Sequence, residues 1–424
     1  MTDAGSVAGL RGLGLIASLG FSLLLARDTG GQGAGTYFIS VTLVLITAVI
    51  ARLGSDSALV RLISGHRHNG VLVVATARAA IRFTTVLSVA ATGGLLLLAP
   101  LLSDELFQDS TITTPLRIVS LAIPPTALTS VFGRCLIGAH RVLVGVAIEG
   151  AALPIAQLIL YVTLLRRWGV SGAATSLVVA NMLVLGVGIA VWARSTATHD
   201  RPAKNQVLEA KRLLIQASLP LLGSNLIRTV LAYTGTLVLG VFSTSSAAGV
   251  YAICARIARV GVLPLSSLNT AVAPRLAAFH ADHATTELRD ITRRALTASA
   301  VLATCVNVPL IAAAPLLLRT FGGEFAGATA TLRILLVASA IDMATGPVAM
   351  FLQMTERERA LLHVSMLTFV TQVAIAAALT PVFDANGPAS AEVISQLLFN
   401  ALVMILVVRY FRDANAGSPD VHRS

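Results

Sequence analysis

Arg228 lies 16 residues after Arg212 and 14 before Phe242, and no other charge stands between them. A guanidinium in so long an apolar run must face a cavity or a partner, because a charge at the centre of a bilayer costs at least about 2.5–3.5 kcal/mol. On a helix its neighbours at −3, +4 and +7 are Asn225, Ala232 and Gly235, a polar and small stripe. Its fork suits an anion such as a diphosphate; the alternative is a structural ion pair with a nearby carboxylate. Asp342 is the matching acid, with Ser339, Thr345, Gly346, Ala349 and Gln353 on its face. It reads as a proton or sodium site, as a partner for Arg228, or as a polar packing contact.

Six more charges stand inside or beside apolar runs. Asp56 follows Arg52 by one helical turn, the spacing of a local ion pair; a cavity role is the other reading. Glu149 would sit about 12 Å into its run, at a cavity mouth or as a snorkelling acid. Arg256 and Arg259 share one helical face. They can present charge to an anionic cargo or anchor to anionic headgroups. Glu392, Ser395, Gln396 and Asn400 form a further polar stripe.

The elements that carry these residues are membrane helices. Hydrophobic residues make up 55% of the 424, charged residues only 12%, and the mean hydropathy is +0.82. Soluble domains carry about 25% charged residues. About twelve runs are long enough to span: 7–26, 36–63, 71–101, 114–138, 142–165, 170–193, 213–242, 248–276, 289–320, 329–354, 360–383 and 388–411. No clean cleavage site marks the first as a removed leader. Prolines inside several runs are candidate bends.

With both termini cytoplasmic, 24 of the 31 Lys and Arg fall on inside connections and their flanks, as the positive-inside rule requires. The net charge of +11 is thereby explained without nucleic acid, which needs a basic soluble face interleaved with aromatics. The three cysteines lie in apolar runs and read as small buried hydrophobes without a disulfide. No histidine has the spacing of a zinc site, and there is no P-loop. No metal, cofactor or catalytic residue is expected.

The chain repeats itself. Gly35 and Tyr37 match Gly249 and Tyr251 at an offset of 214; Ala99–Pro100 matches Ala314–Pro315 at 215; Leu116–Arg117–Ile118 matches Leu332–Arg333–Ile334 at 216. The expected architecture is an all-α membrane protein of two six-helix lobes, 1–193 and 213–424. A polar cytoplasmic linker, 194–212, joins them. A pseudo-two-fold axis along the membrane normal would relate the lobes.

The stretches "LLLARDTGGQGAGTYFIS", "RLGSDSALVRLIS", "WGVSGAATSLVVANM" and "LVLGVFSTSSAAGVYAICARI", in this order and spacing, resemble the polysaccharide (O-antigen repeat-unit) flippases of the multidrug/oligosaccharidyl-lipid/polysaccharide exporter superfamily. The resemblance spans the chain. It implies alternating access in a bacterial cytoplasmic membrane and a polyprenyl-diphosphate-linked oligosaccharide as cargo. It also implies a glycan polymerase and glycosyltransferases as neighbours in the pathway. In one respect the chain departs from it: members often carry an acid about five positions before the Gly of "LVLG", where this chain has Gly235. A cation-coupled multidrug exporter of the same fold, a peptidoglycan-precursor flippase and an integral-membrane glycan-assembly enzyme are the competing readings.

Overall fold

A computed structural model describes residues 2–65, 69–197, 202–282, 284–355 and 357–416. Nine helices among them are long and apolar enough to cross a membrane, or ten if the bent pair Ser110–Ser120 and Ile123–Gly138 is one span. Two of the ten are about twice the length of a crossing, Gly5–Arg52 with 48 residues and Val142–Thr196 with 55. Each is broken near its middle at a glycine with positive φ, Gly30 and Gly169, so twelve crossings result. Helices are what lipid permits, since every backbone N–H and C=O must be satisfied within the segment.

The helix Thr2–Arg52 divides at Gly30 into α1 (2–29) and α2 (31–52). Then come α3 (Gly70–Leu101), α4 (Thr113–Ser120 with Ile123–Gly138), α5 (142–165) and α6 (Gly169–Thr196). The rest are α7 (Lys204–Phe242), α8 (Ser245–Ala258, continued by Leu263–Ala281), α9 (Thr285–Phe321), α10 (Thr329–Met354), α11 (Glu358–Phe383) and α12 (Asn386–Ala416).

Several expected spans are not continuous. The run 36–63 breaks at Leu53 and Gly54, where φ is 47° and 69°, and resumes as Ser55–Gly65. Gly54 rests on the backbone of α7: a Cβ there would stand 2.6 Å from Leu222 N. The run 114–138 bends by 44°, and Pro124–Pro125 opens its second piece, where a missing N–H costs no helical bond. The run 142–165 contains two wide turns, Ala147–Ala152 and Tyr161–Leu165, with i→i+5 bonding. The run 248–276 tightens at Arg259–Val262 before Pro264 restarts it. The cysteines also divide: Cys135 and Cys254 are buried, but Cys305 is exposed. Lipid and protein core are equally apolar, so hydropathy does not distinguish the two faces of a span.

Packing groups the described chain into two compact units. One is Gly9–Ile253 with Thr320–Phe325, and the other is the remainder. The first holds α7, which packs against α3 and the Ser55–Gly65 piece. Its core joins Leu59, Val73, Phe132, Ile148, Trp192 and Leu214. The second centres on Leu276, Leu288, Phe351, Leu352 and Val407, with the Arg289 and Arg357 guanidiniums each 5.1 Å from the ring centres of Phe411 and Tyr410. Residues 198–201 of the expected linker lie outside the described residues.

Inside the first unit the repeat becomes a physical contact. The starts of α2 and α8 cross with almost no separation. A methyl on Gly249 would lie 2.6 Å from Gly35 N and 2.9 Å from Gly35 Cα; a methyl on Gly35 would run into the Ser245 carbonyl. Conversely, Gly249 faces the Gly31 carbonyl. Residues 31 and 35 thus meet 249 and 245, their own counterparts at offset 214, in reciprocal order. Such a small-xxx-small crossing lets two backbones touch where no hydrophobic force drives helices together. The tyrosines follow the same rule. Tyr37 packs on Phe21 at 5.5 Å, and Tyr251 packs on Gly235, the counterpart of position 21.

A candidate anion cavity in the first unit

A cavity of about 320 Å³ is lined by Leu45, Ala48, Val49 and Arg52 of α2, Thr126 of α4, and Arg228, Thr229, Ala232 and Tyr233 of α7. Two guanidiniums, Arg52 and Arg228, therefore share one small chamber. Their sequence separation hides this, and only the packing of α7 beside α2 brings it about. Thr126 donates to Asn181 Oδ1 at 3.0 Å, which fixes that wall.

Arg52 is only partly neutralised. Its Nε stands 3.4 Å from Asp56 Oδ1, across the helix break, and that nitrogen makes no hydrogen bond. Asp56 instead accepts from Ser130 Oγ at 3.2 Å. The i, i+4 pair expected from spacing is present, but as an electrostatic contact between two helical pieces. Arg228 is exposed and belongs to none of the three ion pairs formed among the described residues of this unit. One turn earlier, the buried Asn225 Nδ2 has no hydrogen-bond partner. A buried donor left unmade costs about 1–3 kcal/mol; Asn225 itself is not among the residues that line the cavity.

Glu149 is not among the residues that line this cavity. Its carboxylate is 3.0 Å from Arg134 Nε, on the wide turn of α5, and Gly133 leaves it room: a Cβ there would be 2.5 Å from Glu149 Cγ. Arg11, Arg52, Asp56 and Arg134 all act electrostatically on Glu149. The charged group is thus larger than the sequence suggested, with Arg11 and Arg134 as additions. Arg134 carried a signal in its place among the apolar residues of "SVFGRCLIG". Arg11 carried none beyond its charge.

The remaining candidates lie in the second unit. Asp342 Oδ1 accepts from Gln396 Nε2 at 2.8 Å, and Asn400 reaches the Ile341 carbonyl at 3.5 Å. Ser395 donates to Gln372. The polar stripe on α12 therefore ties α10 and α11 to α12, and holds the Asp342 carboxyl by a neutral amide. Ser339 Oγ donates to the Ala258 carbonyl at 3.0 Å. Arg256 is half-buried and Arg259 is exposed where α8 tightens.

Gly235 has a physical explanation. Its Cβ position is filled by the ring of Tyr251, so the place of an acidic side chain is taken by a repeat tyrosine. Gly235→Asp is expected to lose most folded protein, because the carboxylate would overlap the ring. The pair Gly235→Asp with Tyr251→Ala should recover a large part of it. Membrane abundance by fluorescence size-exclusion measures both, and no recovery in the double variant would reject the steric account.

The number and length of the apolar helices define a multi-pass membrane protein. The chain matches the solved inward-facing structure of a multidrug resistance MATE family transporter of the MOP superfamily with a TM-score of 0.77. Identity is 15%, and the match covers 98% of this chain and all of that one. A lipid II flippase, MurJ, in an inward closed conformation matches at 0.74 with 13% identity, covering 97% and 90%. A MOP superfamily transporter from Pyrococcus furiosus matches at 0.67 with 14% identity, covering 97% and 96%. These likenesses establish the fold. The model of the family described as "Polysaccharide biosynthesis protein" matches residues 2–280, about two thirds of the chain, and the chain belongs to that family. A second model, MatE, matches residues 220–378. No curated protein matches the chain by sequence.

Proposed function

We propose that the protein is an alternating-access flippase that moves a polyprenyl-diphosphate-linked oligosaccharide across the bacterial cytoplasmic membrane for cell-surface polysaccharide synthesis. The observation that carries this reading is the chamber shared by Arg52 and Arg228. A diphosphate has two anionic groups to neutralise and many acceptor oxygens. Two guanidiniums match that demand, and charge-assisted, forked bonds from Arg to phosphate oxygens are among the strong ones. Val49, Ala48 and Leu45 give the chamber an apolar wall, while the polyprenyl tail stays in lipid. Glu149 and Asp56 position the cationic group by pairing with Arg134 and Arg52. Arg256 and Arg259 supply further positive charge to the cargo or to anionic lipids. The protein does no covalent chemistry and needs no cofactor; polymerase and glycosyltransferases act before and after it. Residues 1–193 and 213–424 are the repeated halves, 194–212 joins them, and both termini are cytoplasmic.

A second reading, cation-coupled export, rests on Asp342. Its hydrogen-bond donor is an amide rather than a cation, which leaves the carboxyl able to exchange a proton or sodium. In a flippase the same group would supply the energy. Purified protein in liposomes with a fluorescent polyprenyl-diphosphate glycan and an external quencher decides the matter. Quenching beyond that of protein-free liposomes is expected. Equal quenching in the two, with folded protein present, would remove the flippase reading.

A further inference from the structure

The α2–α8 crossing is fastened from two sides, and the fastenings are copies of one another. Ser245 Oγ donates to Asp109 Oδ2 at 2.5 Å. Gly31 N–H donates to Glu324 Oε2 at 2.9 Å. Asp109 and Glu324 are 215 residues apart, the offset that also relates Pro100 to Pro315, and Gly31 and Ser245 are 214 apart. Each acid opens or enters a short 3-10 turn just before α4 or α10. Each reaches across to the first turn of the other half's second helix. All four residues belong to the same compact unit, which takes in Thr320–Phe325 from the α9–α10 connection. Arg27 Nε adds a bond to the Thr320 carbonyl at 2.7 Å.

We propose that Asp109 and Glu324 are a matched pair of positioning residues that hold the α2–α8 crossing closed, at the end the charge distribution assigns to the outside, and whose release opens it. This rests on the transport reading only for its purpose; the clasp itself is independent of cargo. The crossing beneath is built to part. It contains glycine, alanine and serine rather than interlocked large side chains, so what holds it is backbone contact and these two carboxylates. Asp109 acts as an anion. Burial works against its charge, but hydrogen bonds from Ser245 and Thr111 prevail and hold its carboxyl below the usual range.

The test uses Ala34 and Ala248, both fully buried at the crossing and themselves 214 apart. Each is changed to cysteine in the full-length protein with Cys254 and Cys305 replaced by alanine. Labelling by a membrane-impermeant maleimide is followed in right-side-out vesicles without cargo. Asp109→Ala and Glu324→Ala should each speed labelling of both reporters about tenfold, as loss of a charge-assisted bond implies. Together they should act about additively in free energy, near a hundredfold. Asp109→Asn and Glu324→Gln, which still accept, should fall between. The buried native Cys135 must stay unlabelled. Unchanged reporter labelling, an effect from one acid alone, or parallel labelling of Cys135 would each overturn the proposal. Absence of flipping with the labelling pattern intact would reject the cargo assignment and leave the clasp.

Discussion

Arg228→Ala is expected to reduce flipping by about a hundredfold or more while folded protein in the membrane stays near the level of the parent. The magnitude follows from removing one partner of a desolvated charge contact, about 2–5 kcal/mol. Folding should survive because Arg228 is exposed to the cavity and pairs with no carboxylate among the described residues of its unit. Arg228→Lys keeps the charge without the fork and should retain partial activity. Arg228→Glu should be at least as harmful as alanine. Arg52 shares the chamber, so Arg52→Ala and Arg228→Ala should be non-additive in transport rate per folded molecule. A structural role for Arg228 makes the opposite forecast: reduced abundance and melting temperature, restored by a change at Asp342. Normal transport per folded molecule in Arg228→Ala would take the residue out of the cargo path.

Gly35→Val and Gly249→Val are expected to abolish stable insertion, and by similar amounts. Neither site has room for a Cβ, because the obstruction is backbone on both sides, and backbone cannot rotate away as a side chain can. Overpacking of an ordinary core costs about 1–3 kcal/mol. Here α2 and α8 must separate along their first turns and give up the Asp109 and Glu324 bonds as well. Membrane abundance and melting temperature of purified protein report the loss. Gly65→Val is the control, since nothing lies within 4 Å of its Cβ position, and it should be silent. A folded, stable Gly249→Val protein would show that the crossing is not as close as described.

Much of this protein was legible in the residue order. The class followed from 55% hydrophobic and 12% charged residues, because a chain of that composition has no stable state in water. The crossings followed from run length, and the repeat from ordered matches at offsets of 214 to 216. These are local or additive properties, and lipid enforces them residue by residue. The breaks at Gly30 and between Leu53 and Ser55 were less legible, since glycine in a membrane run marks either a turn or a close contact. Both glycines of the repeat motif turned out to be contacts.

What only the tertiary structure decided were the pairings. Arg52 was readable as a partner of Asp56 from spacing alone, yet its place in one cavity with Arg228 depends on α2 and α7 both lining that cavity. Glu149 was a candidate for the cavity mouth, but a wide helical turn and the bare surface of Gly133 turn it to Arg134. Gln396 gave no sign of its hydrogen bond to Asp342, and nothing local marked Asp109 or Glu324 as a pair. The reason is physical. Hydropathy is shared by lipid-facing and core-facing residues, so it sets which segments cross and leaves open which faces meet. Those faces are chosen by steric fit and by the need to satisfy each buried polar group, and the partners stand tens to hundreds of residues away.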